Sequence, residues 1–284
     1  MSEPLSPKSE EKKSLKRMMI HSFIVIPFIL AVSCAMLYAA IRLLTREKQT
    51  AYDLLEDVKV GGATKRWQSA FELSKVLASP ALIPKEEGFT QEMASAFQKS
   101  KQDDPRVRQY LALAMGRTGN AAFFEPLTED LAGEKDENLP AILYAIGMLK
   151  DRRGPAVLNP FLNHRDARVR SITVVALGNI ADPSSIGKLK KVLVDAEPNV
   201  QWGAALSLAK MGDRTGKSII LKMLDREYLS AFPQVDPEEQ KYLLLSAIEA
   251  ASLLNEPELN AQLLRLSKTD SNMKVRAAAL EKLK

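Results

Sequence analysis

The chain has 284 residues, 46% of them hydrophobic and 6% aromatic, with 40 Lys and Arg against 35 Asp and Glu and one cysteine, Cys34. A single cysteine excludes a disulfide framework. The excess of positive charge sits at the amino-terminal end: beyond residue 44 the balance is 34 basic against 32 acidic residues, which disfavours an extended nucleic-acid surface.

Residues 1–17 form a basic tail containing Lys8, Lys12, Lys13, Lys16 and Arg17. Residues 18–41 then run for 24 positions without Asp, Glu, Lys or Arg. A helix of that length measures about 36 Å, more than the roughly 30 Å of a hydrocarbon layer. A transmembrane helix is therefore predicted over residues 18–44. A cleaved signal peptide has a shorter apolar region. The LAVSC segment at 30–34 faintly resembles a bacterial lipobox, but the AMLYAAI that follows stays apolar. Five basic residues before the run against Arg42, Arg46 and Lys48 after it place the amino terminus inside. The expectation is a single-pass protein of a bacterial inner membrane with its carboxy-terminal domain in the periplasm. Residues 45–61 carry a short helical pattern around Tyr52 and Val58 and end in Gly61 and Gly62, which predicts a juxtamembrane helix and linker.

From residue 62 to residue 284 the sequence repeats. Gly116, Gly147 and Gly178 lie 31 residues apart, a period that marks stacked helix pairs. The clearest copies read DPRVRQYLALAMG, DARVRSITVVALG and EPNVQWGAALSLA, and weaker copies begin near residues 62, 137, 240 and 272. In register, one column holds Ala70, Ala112, Leu143, Val174, Ala205, Ile248 and Leu280. A second holds Leu73, Met115, Ile146, Leu177, Leu208, Ala251 and Leu283. Three residues of separation put both columns on one buried helix face. The next column, Ser74, Gly116, Gly147, Gly178, Ala209 and Ser252, is small, so either a second helix approaches closely there or the chain turns. A second apolar pattern follows each copy, making every repeat a helical hairpin. The fold class read from the sequence is all-α, an α-solenoid of about six hairpins and a terminal helix.

The Asp-x-x-Val-Arg at the head of the copies at 104 and 166, the Ala/Leu-rich stretch and the closing Gly resemble HEAT repeats, and most closely the short subclass named after phycobilisome lyases. The resemblance implies a HEAT-like domain over residues 62–284. It further implies that Asp104, Arg108, Asp166, Arg170 and Arg276 make ladder contacts between adjacent repeats. An amino-terminal Asp also caps the helix it opens, independently of any family. The pattern decays at Asn138, Leu139 and Gln201.

Two insertions interrupt the period. Residues 79–88 lengthen the first hairpin loop. Residues 227–239 (EYLSAFPQVDPEE) carry Tyr228, Leu229 and Phe232, which serve either as contact groups for a partner or as a cover over a neighbouring repeat. Trp67 and Trp202 occupy the same slot of the repeat and are read either as packing rings or as a ligand-binding pair. The two histidines, His21 and His164, are far apart in sequence, and no metal-ligand spacing, phosphate loop or nucleophile motif is visible. No catalytic residue, metal or cofactor is expected. The functional expectation is a membrane-anchored HEAT-repeat scaffold that binds protein partners within a membrane complex. A chromophore or cofactor lyase, or its chaperone, is the alternative, and a nucleic-acid-binding solenoid the weaker one. At the carboxy-terminal end, Lys274, Arg276, Glu281 and Lys282 supply a polar cap, or a partner or second copy stacks there.

Overall fold

A computed structural model describes residues 21–44 and 49–283. These residues divide into two compact units that meet between Gln49 and Thr50. The basic tail at 1–17, the start of the predicted span at 18–20 and residues 45–48 lie outside the described residues.

The first unit holds a π-helical turn, His21–Val25, followed by α1 (Ile26–Leu44). Here the expectation of a transmembrane helix is corrected. Among the described residues no helix is long and apolar enough to cross a membrane. Among its described residues the uncharged run is not one α-helix, because His21–Val25 takes π geometry and α1 starts only at Ile26. From there to Ile41, the last residue before Arg42, α-helical rise covers roughly 24 Å, short of the hydrocarbon thickness. The placement as a single-pass inner-membrane protein with a periplasmic domain falls with the span.

The second unit is an all-helical solenoid of stacked hairpins. Its first helices are α3 (Ala63–Val76), α5 (Pro105–Thr118), α7 (Leu139–Leu149), α9 (Ala167–Ile180), α11 (Pro198–Lys210), α14 (Pro237–Leu254) and α16 (Met273–Glu281), and each packs against the next. They are the seven copies of the sequence repeat. The predicted juxtamembrane helix is α2 (Ala51–Val60), which belongs to this unit. Thr50 and Asp53 form a reciprocal capping box at its start, and it buries Leu54, Leu55 and Val58 in contact with α3.

The second layer is more irregular. It comprises α4 (Glu87–Lys99), α6 (Phe124–Thr128), α8 (Gly154–Leu158), α10 (Ile186–Lys191), α12 (Lys217–Met223) and α15 (Pro257–Thr269). Several are single turns extended by 3-10 geometry, as in Asn159–Asn163 after α8, where Pro160 removes a backbone donor an α-helix would need. They still seal the core, with Phe97, Phe123, Leu127, Leu158, Leu189 and Leu263 essentially inaccessible.

The small column resolves in favour of close approach. Gly116, Gly147 and Gly178 lie within α5, α7 and α9 rather than at turns. A Cβ at Gly147 would sit 2.5 Å from Ala176 Cα, and one at Gly116 would sit 2.7 Å from Ala145 Cα. Each glycine therefore receives a small residue of the following helix, from the column Ala145, Ala176 and Ser207. The turn itself comes three residues later. Gly119, Lys150, Ala181, Gly212 and Asn255 all adopt positive φ at that slot, which gives these five first helices a left-handed ending, whereas α3 and α16 end in right-handed geometry at Leu77 and Lys282.

Candidate functional site

The residues singled out in the insertion form a packed cover. A short helix, α13 (Arg226–Ser230), carries Tyr228 and Leu229 over the end of α11. The Trp202 ring lies 5.0 Å from Phe232 and 6.3 Å from Tyr228, both edge-on, and its Nε1 donates to the Tyr228 hydroxyl at 3.2 Å. Leu229 is 0% and Trp202 1% exposed, so neither offers surface to a partner. Trp67 shares the repeat slot but not the environment. It is half-buried beneath the Arg106 guanidinium, 4.2 Å from its ring. The two tryptophans are thus not a pair.

The inter-repeat ladder exists, but its acids are not those of the repeat motif. Asp104 and Asp166 cap their own helices by accepting from the backbone N–H of Arg106 and Arg168, and pair with those same side chains. The Arg168 hydrogen bonds hold the Asp166 carboxyl down at about 2. The arginines reach further. Arg170 donates from Nε and Nη2 to both oxygens of Asp195, each at 2.8 Å, and from Nη1 to the His164 carbonyl. Arg108 pairs with Glu134, both nearly inaccessible, while its Nη1 donates to the Phe97 carbonyl at 2.7 Å. Arg66 pairs with Asp103. Each arginine so ties a backbone carbonyl that precedes its helix, that of Val58, Phe97 or His164, to an acid just before the next first helix.

Arg276 makes only the first half of this contact, donating to the Asp270 carbonyl. The Asp270 carboxylate is taken by Arg226 of the insertion at 2.7 and 2.8 Å. Gln201, where the motif decays, still donates to the Asp195 carbonyl. Burial pushes the Glu134 carboxyl up, but bonds from Arg108 and Asn138 bring it below its ordinary range. Asp195 is lowered mainly by Arg170. The ladder stiffens the stack and presents no reactive group to solvent.

What the solenoid does expose is one face of its first helices. The residue after the central core column is Phe71, Leu113, Tyr144, Val175 and Leu206 in five successive repeats. All five are partly exposed, whereas the core column beside them is buried. Beside the row, the Phe71 ring lies 5.1 Å from Tyr110 of the next repeat. Four residues further along stand Lys75, Arg117, Met148, Asn179 and Lys210, so this slot is basic in three of the five repeats, apolar in one and an amide in one. Lys75 Nζ stands 5.0 Å from the Phe71 ring, Arg117 donates to the Ser74 carbonyl, and Lys210 bonds Asn179 across to the preceding repeat. Because first helices pack at about 8 to 10 Å, the row places one apolar side chain at each such interval along a stiff surface.

Known proteins agree with this architecture. Residues 155–230 match the family model for HEAT repeats. The fold is a solenoid of HEAT-like repeats. Among solved structures, the chain is similar to the complex of CpcE and CpcF of phycocyanin lyase from Nostoc, with 16% identity over 84% of this chain and 88% of that one and a TM-score of 0.61. It is also similar to an engineered protein, with 19% identity over 82% and 94% of the two chains and a TM-score of 0.40. Human deoxyhypusine hydroxylase matches with 15% identity over 82% and 84% and a TM-score of 0.35. At 16% identity the likeness to the phycocyanin lyase complex is one of fold. No curated protein sequence matches the chain. Among the described residues no group of three or more His, Cys, Asp or Glu is placed to hold a metal ion.

Proposed function

We propose that this solenoid is a docking platform for another protein and contributes no chemistry of its own. The observation that carries the reading is the half-exposed row Phe71, Leu113, Tyr144, Val175 and Leu206, bordered by Lys75, Arg117 and Lys210. Leu206 also packs against the core, but an apolar side chain left partly in water at this slot in five consecutive repeats is what a covering partner segment would bury. Arg117 and Lys210 carry positive charge beside the row, with Lys75 shared with Glu72, and they favour acidic side chains in the matching parts of a partner. Replacing Leu113 and Tyr144 by Glu tests this, because both are already in contact with water and the fold should survive. Loss of partner binding with an unchanged melting temperature supports the reading, and undiminished binding removes it.

A lyase-type reading rests on the similarity to the phycocyanin lyase complex. It predicts a chromophore or cofactor that travels with the purified protein. An absorption spectrum in the visible separates the two readings, since a docking platform gives none.

A further inference from the structure

The central core column is inaccessible in its first six copies, from Ala70 to Ile248, yet its seventh member, Leu280, is 52% exposed. Leu280 lies on α16, which buries Val275 and Ala279 inward against the unit that contains α14 and α15. The opposite face carries Met273, 75% exposed, then Ala277 and Leu280 at helical spacings of four and three residues. That is the stripe of a two-helix seam. Along one flank of it lie Lys274 and Glu281, seven residues apart and both exposed. Neither is held in an ion pair among the described residues.

We infer that this face of α16 pairs with the same face of a second copy of the chain, the two helices running antiparallel about a two-fold axis near Ala277. Three observations select a second copy over any other occupant. The stripe continues the surface through which the earlier first helices are buried, so what fits it is a helix presenting such a stripe. Ala277 at its centre is small enough for two helices to approach closely, as the glycine and alanine columns permit within the stack. The flank is self-complementary: opposite charges at its two ends meet only when the second helix is reversed, Lys274 against Glu281 of the other copy and the converse. An isologous contact of this kind closes on itself and stops at a dimer. With one helix from each copy the interface is small, so a weak, reversible dimer is expected.

The test uses the full chain. With Cys34→Ser in the background, Ala277→Cys should form an interchain disulfide under mild oxidation, and Gly88→Cys, on α4 and with open space around it, should not. In sedimentation velocity over a concentration series, Leu280→Glu should abolish the dimer. Lys274→Glu should weaken it about tenfold by placing like charges opposite each other. The double change Lys274→Glu with Glu281→Lys should restore it, an outcome that only a reversed self-pairing produces. A chain that stays monomeric through the series overturns the proposal. So does a dimer that survives Leu280→Glu, or one that the charge exchange fails to rescue, because each places self-association elsewhere. Partner binding by the row of first helices is read separately and does not depend on this result.

Discussion

Replacing Gly178 by Ala adds one methyl group at the closest point between α9 and α11. The new Cβ would lie 2.1 Å from Ser207 Oγ, 2.6 Å from Ser207 Cβ and 3.1 Å from Ser207 Cα. Ser207 cannot simply rotate its hydroxyl away, because Oγ donates to the Val174 carbonyl at 3.1 Å and losing that bond costs about 1 kcal/mol. Overpacking adds about 1 to 3 kcal/mol, against which the better helix propensity of Ala returns about 1 kcal/mol. The expected net loss is about 1 to 3 kcal/mol, read as a lower denaturation midpoint in urea followed by far-ultraviolet circular dichroism. Ser207→Gly removes the two nearest atoms. The double variant should therefore be more stable than the sum of the single losses by at least about 1 kcal/mol. Gly187→Ala is the control. Nothing lies within 4 Å of a Cβ there, and it sits within α10, so it should gain up to about 1 kcal/mol. Additive losses for the pair at 178 and 207 would refute the close-packing account of the glycine column.

Three further outcomes follow from other parts of the stack. Ala181 holds a φ of 55° at the turn that ends α9, so Ala181→Gly should raise the urea midpoint, by about 1 kcal/mol of stability. Asp195→Asn leaves the part-buried Arg170 without its counter-charge, and a loss of about 1 to 3 kcal/mol at neutral pH is expected. The same groups set the acid limb. Glu134, Asp195 and Asp270 all have carboxyls below their ordinary range in the folded chain, so their stabilisation is complete above the unfolded values near 4 and is lost as pH falls through the lower folded ones. Wild-type stability should drop in that window, and Asp195→Asn should flatten the drop; a parallel acid limb in the variant would contradict the assignment.

The first-helix layer was legible because its core columns are apolar in every copy and the period stays at 31 or 32 residues where no insertion falls. The ladder acids were not. Asp103 lies one residue before its N-cap and Asp195 two before, so Asp195 falls one position out of register, and Glu134 keeps the register as a different residue type, while Asp104 and Asp166 stay aligned and draw attention. A search for acids near the 31-residue period in the loops would have found Asp103 and Glu134. The partner of the glycine column was also in plain view two residues earlier in each copy, at Ala145, Ala176 and Ser207, but an alanine on an apolar helix carries no signal without the neighbouring helix. The half-exposed row was hidden for the converse reason, since Phe, Leu, Tyr and Val beside a core column read as more core. At the amino-terminal end, residue content alone suggested a span. The break into π and α geometry before Ile26 is a backbone property that composition does not report.

Site-specific photo-crosslinking from the first-helix face tests the docking account most directly. A crosslinker placed at Tyr144 or Val175 in the native cell should trap one and the same polypeptide, which the Leu113→Glu variant no longer yields, while the same group at Gly187 on α10 traps none. Capture of that polypeptide from Gly187 but not from Tyr144 or Val175, or capture that Leu113→Glu leaves undiminished, would contradict it.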